Sequence, residues 1–441
     1  MQHLPSLLQE LTTACAAFPD SRKGRAGNIA VADFGLSAFA LFFMQSGSFL
    51  SYQREMQDHG RRSNCQPLFG ISHIPSDASI RSHLDLASPR LLEPCFERLE
   101  QAMAEPAVAE AFLRLGGRSL IALDGTEYFC SDRIGCPNCL SRRRANGKTE
   151  HYHVMLAASI VAPGHSRVIP LMPEFVANHD GAAKQDCERN AAKRWHARHG
   201  ERLKALRPVY PGDDLFACQP MAKLLKDNGD DFIFTAKETS HKVLYEFISG
   251  AGLQRHAGVE RKGKTRKTLN YRWIEDVPLR DGEDAIAVTW IGFDIADDKG
   301  RSLYSTAFVT SLRVTAATAA DIVQAARARW KIENGSFNVM KNHGYELEHN
   351  SGHGKQFLAM MLATLNLLAF AWHTLLDLLE PPWQQAREKI VIRTKFFAEA
   401  LTLSRFAVFQ TWPAFLESLT TGHIPPECLN PPPNKPPAGQ F

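Results

Sequence analysis

The spacing of apolar residues changes near residue 118, and this change restricts the chain to folds that combine helices with a sheet. Before it, apolar residues recur at helical intervals, which predicts an all-helical domain over residues 1–115. After it, "SLIALDG" and "YHVMLAASIVAPG" are apolar runs of strand length, and predicted helices alternate with strands as far as "DFIFTAK". This order of elements predicts an α/β fold in which helices cover a mixed sheet.

Residues 255–312 interrupt that pattern with alternating apolar and polar residues, which predicts an antiparallel β insertion. Helical spacing then returns, and the chain closes on "IPPECLNPPPNKPPAGQF", whose proline content is typical of disorder. The predicted organisation is a helical DNA-binding domain (1–115), a core in two pieces (116–254 and 313–380), the insertion (255–312), a C-terminal helical segment (381–423) and a disordered tail (424–441).

Residues 357–379 are apolar enough and long enough to cross a bilayer. Because Asn366, His373 and Asp377 interrupt this stretch, we expect a buried core helix and no membrane partner. The first residues show no apolar signal segment, and nine cysteines in 441 residues are too few for a disulfide scaffold. We therefore expect a reducing, cytoplasmic setting. The net charge of +4 means that any DNA binding must come from local basic patches.

Two acidic positions follow apolar runs. Asp124 ends the predicted strand "SLIALDG", and Asp213, with its neighbour Asp214, follows "RPVY". Asp-Gly is also a common turn dipeptide, so a plain turn at Asp124 is the alternative. Carboxylates at converging strand ends repel one another unless a cation lies between them, and Mg²⁺ suits such a site.

The segment "RARWKIENGSFNVMK", residues 327–341, supplies a third acid on a predicted helix. Arg329 precedes Glu333 by four residues and lies on the same face, and Lys341 is within reach of that side. An acid between two cations is suited to a surface that meets metal and phosphate together. A solvated, salt-bridged helix face is the alternative.

Three segments together resemble bacterial insertion-sequence transposases of the DDE type, in the insertion-sequence family numbered four. They are "LDGTEYF", "GDDLFACQPMAKLLKDNGDDFIFTAK" and "RARWKIENGSFNVMKNHGYELEHNSGHGKQ", and the resemblance covers residues 118–380. It implies an RNase H-like core with a β insertion between the second Asp and the Glu. The implied catalytic and metal-binding residues are Asp124, Asp213 and Glu333, with Asp213 preferred to Asp214 because Phe216 follows three positions later.

The resemblance also implies the chemistry and the partners. The activity would be DNA transposition, a form of DNA recombination, in which Mg²⁺ (Mn²⁺ can substitute) supports cleavage of the element ends and joining of the 3′-OH to target DNA. The partners would be double-stranded DNA, as terminal inverted repeats and target, and a second copy of the chain on paired ends in the bacterial cytosol. The family's helix motif has a Tyr and a Lys where this chain has Ala326 and Met340, so Lys341 is one position late.

Several basic and aromatic residues are candidate DNA contacts. The run "RKGKTRK" (261–267) holds five basic residues and falls in a predicted loop, and a solvated loop is the alternative. Trp273 and Trp290 lie on predicted insertion strands, where burial in the sheet is favoured over stacking on a flipped base. The DNA-binding candidates are Arg329, Lys341, Lys262, Lys264, Arg266, Lys267 and Trp290.

The segment "CPNC" is a Cys-x-x-Cys motif, with Cys136 and Cys139, and "EHYH" follows with His151 and His153. Two Cys and two His can hold structural zinc, but the His spacing is unusual for a zinc finger, and reduced, unliganded thiols are favoured. For His353, in "HNSGHGKQ", a DNA contact or the capping of the next helix is considered. The alternative to an active transposase is a catalytically inactive DNA-binding protein on a transposase scaffold.

Overall fold

The structure, a computed structural model, describes residues 3–22, 29–56, 63–177, 185–263 and 265–429. Helices make up the described chain before residue 113 and most of it after residue 318. The helices are α1 (His3–Ala16), α2 (Val31–Phe43), α3 (Phe49–Met56), α4 (Cys65–Phe69), α5 (Asp77–Leu84), α6 (Glu93–Gln101), α7 (Pro106–Phe112), α8 (Glu188–Leu203), α9 (Gln219–Asp227), α10 (Lys242–Ser249), α11 (Ala319–Arg327), α12 (Trp330–Ile332), α13 (Asn338–Asn342), α14 (Leu358–Leu379), α15 (Pro381–Lys389), α16 (Arg393–Phe406), α17 (Trp412–Thr421) and α18 (Pro426–Leu429).

The strands form one mixed sheet, so the α/β class predicted from the sequence is confirmed. They are β1 (Leu120–Ser131), β2 (Leu140–Arg143), β3 (Thr149–Val161), β4 (Ile169–Pro170), β5 (Glu174–Val176), β6 (Val209–Gly212), β7 (Asp231–Thr235), β8 (Gln254–Lys262), β9 (Thr265–Pro278), β10 (Ala287–Ala296) and β11 (Ser302–Thr310). The order across the sheet is β2-β3-β1-β6-β7-β11-β10-β9-β8, and β4 and β5 pair with β3. β1, β6 and β7 are parallel neighbours, whereas β1 and β3 are antiparallel.

Antiparallel strands are present where the sequence predicts an insertion, but they do not form a separate sheet. β11 pairs with β7, Val309 opposite Phe234, and β10, β9 and β8 continue outward from it. The basic run 261–267 is therefore the end of the β8–β9 hairpin, in which Arg261 is opposite Arg266, rather than an open loop.

Alternating residues of β1 pack on the two sides of the sheet, which places a helical layer on each face. Leu120 and Ala122 belong to the core shared with α2, α11 and α14. Ile121 and Leu123 belong to the core shared with α8 and α9. This period of two is the reason that an almost wholly apolar strand can be buried on both sides.

Helix α14 is long and apolar enough to cross a membrane, yet its most apolar window is entirely buried inside the protein. It packs against α2, where the rings of Phe39 and Trp372 lie 4.5 Å apart. Trp383 and Trp412, from the C-terminal segment, pack on Phe43 of α2. The expectation of a buried core helix is confirmed, and the N-terminal and C-terminal helices share its core.

Two residues have the local chemistry that begins or ends a helix. The Ser76 hydroxyl accepts the Ser79 N–H at the start of α5, and Gly229 follows α9 with a left-handed φ of 77°. In the predicted tail, Pro426–Leu429 form α18 and Cys428 is buried, so disorder does not begin at residue 424. Residues 430–441 lie outside the described residues.

Asp85 ties the N-terminal helices to the start of α14. Its carboxylate accepts backbone N–H groups from Lys355, Gln356, Phe357 and Leu358 at 2.9–3.1 Å. Burial raises the pKa of Asp85, but these four donors outweigh burial and leave the pKa below its usual value.

Asp85→Ala should therefore lower the free energy of unfolding by about 2 kcal/mol or more, because it removes several hydrogen bonds to a charged group. The difference from wild type should shrink in acid, since a depressed pKa contributes stability above the unfolded pKa of 3.8 and loses it as pH falls through the folded pKa. Urea unfolding at pH 7 and pH 3 measures both effects. As a control, Asp77→Ala, in an exposed pair with Arg81, should cost less than about 1 kcal/mol. Equal losses in the two variants would contradict the assignment.

Candidate active site

Asp124 lies on β1, on the face covered by α11 and α14, two residues after the buried Ala122. The expectation that it ends its strand is wrong, and so is the turn alternative. β1 continues to Ser131 because β3 keeps pairing with it, with Asp124 opposite Ala157. The neighbour on the other side, β6, ends at Gly212. Asp124 is thus level with the end of the adjacent strand rather than with the end of its own.

Asp213 directly follows β6 and reaches the same level. Leu120 is paired with Val209 in parallel register. Counting four residues from this pair along each strand (120 + 4 and 209 + 4) gives Asp124 and Asp213. Neighbouring strands lie about 4.8 Å apart, so the backbones of the two residues lie side by side where β6 ends. The charge of Asp213 also contributes to the raised pKa of Asp124.

The choice of Asp213 over Asp214 has a structural basis. Asp214 accepts the Lys237 N–H at 2.7 Å and lies 3.3 Å from the His241 ring, so its carboxylate is bound by the loop between β7 and α10. Asp213 accepts the Leu215 N–H at 2.9 Å and is half-buried. Of the two, Asp213 is the acid whose charge raises the pKa of Asp124.

Glu333 opens a π-helical turn, Glu333–Phe337, between α12 and α13. Its carbonyl accepts the N–H of Asn338, five residues later. π turns are rare in proteins overall, and those that occur are often found at functional sites. Because such a turn holds one residue more than an α turn, Lys341 takes the position on the helix that residue 340 would otherwise have. Met340 is fully buried instead.

Arg329 joins two of the acids. Its Nη1 donates to Asp124 at 3.0 Å and to Glu333 at 2.8 Å, and the residue is only 7% exposed. Charge-assisted bonds of this length are strong, and a buried guanidinium would be costly without them. The contact brings β1 and the Glu333 helix together although 205 residues separate Arg329 from Asp124 in the chain.

The site carries more negative charge than Arg329 can balance. Burial raises the pKa of Asp124 to about 7; Arg329 opposes this, and the charges of Glu333 and Asp213 add to it. An acid whose pKa is raised in this way is suited to bind a cation, which would favour its charged form.

A fourth acid, Glu188, escaped the sequence analysis. It is the first residue of α8, and a Cβ on Gly125 would lie 2.3 Å from its carboxyl carbon. Burial, and then the charge of Asp213, raises its pKa. The only sequence signal is the missing side chain at Gly125, which leaves room for this carboxylate on the face of β1 that α8 covers.

The three predicted acids do not converge on one point. Within the described residues, the group of three or more potential ligands whose atoms all lie within 4.8 Å of one another is Cys136, Cys139, His153 and His353. Asp124, Asp213 and Glu333 are more widely spaced, with Arg329 between the first and the third. Such spacing is compatible with a pair of ions about 3.5–4 Å apart, because no single ion then needs all three acids.

The other candidates lie in different surroundings. Lys341 donates to the Glu127 carbonyl at 2.9 Å and pairs with Glu348 at 2.7 Å, close to the Asp124 strand. Trp290 is 4% exposed and packs on Tyr245, so a DNA contact there would require the insertion to open. Arg266 is exposed and Lys267 half-buried at the hairpin end, whereas Lys264 lies outside the described residues. Lys262 is the last residue of β8.

Of the two histidines that the sequence suggests as partners of the CxxC motif, only one lies beside it. His153 lies beside Cys136 and Cys139, but His353 takes the place expected for His151. His151 is half-buried, with its ring 3.0 Å from the position of a Cβ on Gly135.

No family model matches the chain, and the search of curated proteins gave no match.

The buried charge of Asp124 should make stability depend on pH. A pKa raised from 3.8 to about 7 means that folding loses stability as pH rises across that interval, because the unfolded chain has already released the proton. Asp124→Asn should therefore gain thermal stability relative to wild type at pH 8 compared with pH 5.5. Mg²⁺ should raise the melting temperature of wild type at pH 8 and have a smaller effect on Asp124→Asn. Identical pH responses of the two proteins in calorimetry would contradict this assignment.

Proposed function

We propose that the chain is a DNA transposase of the DDE type, similar to the insertion-sequence family numbered four, and that its core is RNase H-like. The observation that carries the proposal is the pairing of Arg329 with both Asp124 and Glu333, with Asp213 level with Asp124 at the end of the adjacent strand. These acids are 89 (213 − 124) and 120 (333 − 213) residues apart in the sequence, and no local pairing would bring them together. The mixed sheet, in which an antiparallel pair passes into parallel strands with acids at the junction, supports the same core.

Asp124, Asp213 and Glu333 would hold Mg²⁺, or Mn²⁺ in its place. The fit rests on an uncompensated site: Arg329 pairs with Asp124 and Glu333, the charge of Asp213 adds to theirs, and burial raises the pKa of Asp124 to about 7. When bound, such ions activate a water or a 3′-hydroxyl and stabilise the leaving oxygen of a phosphodiester.

The protein's own groups would position the DNA and balance charge. Arg329 uses Nη1 for its two carboxylates, so its other N–H groups are available to a phosphate oxygen. Lys341, displaced onto the sheet side by the π turn, supplies a second cation next to β1. The π turn thus offers a reason for the one-residue offset from the family's Lys position, while Ala326 leaves its Tyr position unfilled. In phosphoryl transfer, such positioning and charge balance are most of what a protein contributes.

The proposal extends to partners and setting. Two copies of the chain would hold paired terminal inverted repeats and deliver them to target DNA in the bacterial cytoplasm. A catalytically inactive DNA-binding protein remains the alternative, and it predicts salt-dependent DNA binding that metal does not alter.

The direct test is cleavage of DNA carrying the element's ends in the presence of Mg²⁺. Asp124→Asn, Asp213→Asn and Glu333→Gln should each reduce cleavage and strand transfer by more than about 100-fold, since groups that only orient a metal ligand are already worth about 10–100-fold. Asp214→Asn and Asp227→Asn, the latter an exposed residue paired with Lys223, should keep most of the activity. Full cleavage by any variant of the three acids would refute the site, and binding without cleavage by wild type would favour the inactive alternative.

Trp330 is the aromatic residue best placed to contact DNA. All seven tryptophans lie in the described chain; six are buried, and Trp330 is 51% exposed with its ring 4.8 Å from the Arg329 guanidinium. An exposed ring beside the acids can stack on an unpaired base at the cleaved end, a contact worth about 1–3 kcal/mol.

Trp330→Ala should weaken binding to a DNA end with unpaired bases by about 5–150-fold, the equivalent of that stacking energy. Trp330→Phe should keep most of the affinity, because a phenyl ring still stacks. Fluorescence anisotropy with labelled DNA measures both variants, and fully paired internal DNA serves as the control substrate. Unchanged affinity of Trp330→Ala for unpaired ends would remove this contact.

A further inference from the structure

Four potential metal ligands meet at the far end of β1. Cys136 and Cys139 lie in the connection between β1 and β2, His153 lies on β3, and His353 lies between α13 and α14. Cys139, His153 and His353 are buried and Cys136 is half-buried. The ligands come from segments more than 200 residues apart, yet their sulfur and nitrogen atoms lie within 4.8 Å of one another.

The distances between these atoms match the edges of a tetrahedron around zinc. Zn–S bonds of about 2.3 Å and Zn–N bonds of about 2.0–2.1 Å give edges of about 3.8 Å (S···S), 3.6 Å (S···N) and 3.3 Å (N···N). The two sulfurs lie 3.8 Å apart. Three of the four sulfur–nitrogen distances are 3.6, 3.4 and 3.3 Å, and the two Nε2 atoms lie 3.2 Å apart. The fourth pair, Cys136 with His353, lies within 4.8 Å.

Hydrogen bonds alone do not account for this arrangement. The Nε2 atom of His153 faces both sulfurs and the Nε2 atom of His353, but a ring nitrogen has a single proton or a single lone pair to offer. A cation at the centre would use the lone pairs of all four atoms at once.

The surroundings prepare the ligands for such a cation. The Nδ1 atom of His353 lies 3.0 Å from the Gly354 carbonyl, a partner that places the proton on Nδ1 and leaves Nε2 free to bind. The Cys136 N–H points at the Cys139 sulfur at 3.4 Å. The rings of Tyr128 and Phe129 pack on the two histidines. Four protein ligands, three of them buried, leave no open position for water, which is the mark of a structural site.

We propose that Cys136, Cys139, His153 and His353 bind one structural Zn²⁺. This site is additional to the acidic site and does not depend on the proposed function. It fastens the end of the Asp124 strand to the segment that follows the Glu333 helix, and Asn138 reinforces the same junction by donating to the Gln356 carbonyl at 2.7 Å. The ion would therefore fix the position of two acid-bearing elements without entering the reaction.

The test is the metal content of the full chain, purified without a histidine tag from cells grown with zinc. Elemental analysis should find about one zinc per wild-type chain. Cys139→Ser and His353→Ala should lose most of it, whereas His151→Ala, a histidine two residues from His153 on the same strand, should retain it. X-ray absorption of the wild-type protein should show two sulfur and two nitrogen ligands.

Two further measurements keep the result decisive if a variant misfolds. Modifying the thiols of folded wild type with an organomercurial should release the zinc, as followed with a colorimetric chelator, and should lower the melting temperature. Absence of zinc in the wild type, iron in its place, or equal loss from His151→Ala and His353→Ala would overturn the proposal. These readouts do not involve DNA cleavage, so failure here leaves the transposase proposal intact, and a zinc-loaded protein that does not cleave would separate the two.

Discussion

The bifurcated ion pair of Arg329 is the interaction on which the site depends. A single guanidinium, almost fully buried, holds Asp124 of the sheet and Glu333 of a helix at 3.0 and 2.8 Å. Without it, two carboxylates would face each other in a partly dry environment, and one would take up a proton. With it, the charges are only partly balanced, since the charge of Asp213 also acts on Asp124. The protein is thus folded around a local excess of negative charge that a divalent cation would relieve.

The rest of the fold positions that pair. β1 is central and supported by β3 along its length, so Asp124 is fixed by a ladder rather than by a loop. The parallel register with β6 brings Asp213 to the same level. On the helix side, Asp85 binds the backbone at the start of α14, and the Cys/His cluster holds the preceding segment against β3. Both anchors lie close in the chain to the Glu333 helix, which limits how far Glu333 can move from Asp124.

The sequence predicted the parts of this arrangement that leave a local pattern. The change of period at residue 118, the insertion strands and the buried helix α14 all follow from spacing or residue type. Asp124 and Asp213 stood out because acids rarely follow apolar strands without a reason. The position of Asp124 within β1 was missed because burial decreases beyond it, so the second half of the strand lacks an apolar signature.

Features that depend on distant partners could not be predicted. His353 lies beside Cys139 although 214 residues separate them in the chain, and no sequence pattern near either residue predicts the contact. By sequence alone, His151 was the nearer candidate. The π turn at Glu333 has no established sequence signal, yet it changes which side of the helix Lys341 occupies. Glu188 could be found only once Gly125 was seen to make room for it. The exposure of a tryptophan also depends on distant partners. Trp330 is exposed, whereas Trp290 lies on a strand whose two faces are both covered.

The most direct measurement of the central claim is a crystal structure of the protein bound to a DNA end and Mn²⁺, with anomalous scattering used to locate the ions. The account predicts Mn²⁺ coordinated by carboxylate oxygens of Asp124 and Asp213, with Glu333 as a ligand of the same or a neighbouring ion and the scissile phosphate between them. Mn²⁺ bound elsewhere, or a DNA end held with no ion on these carboxylates, would contradict it.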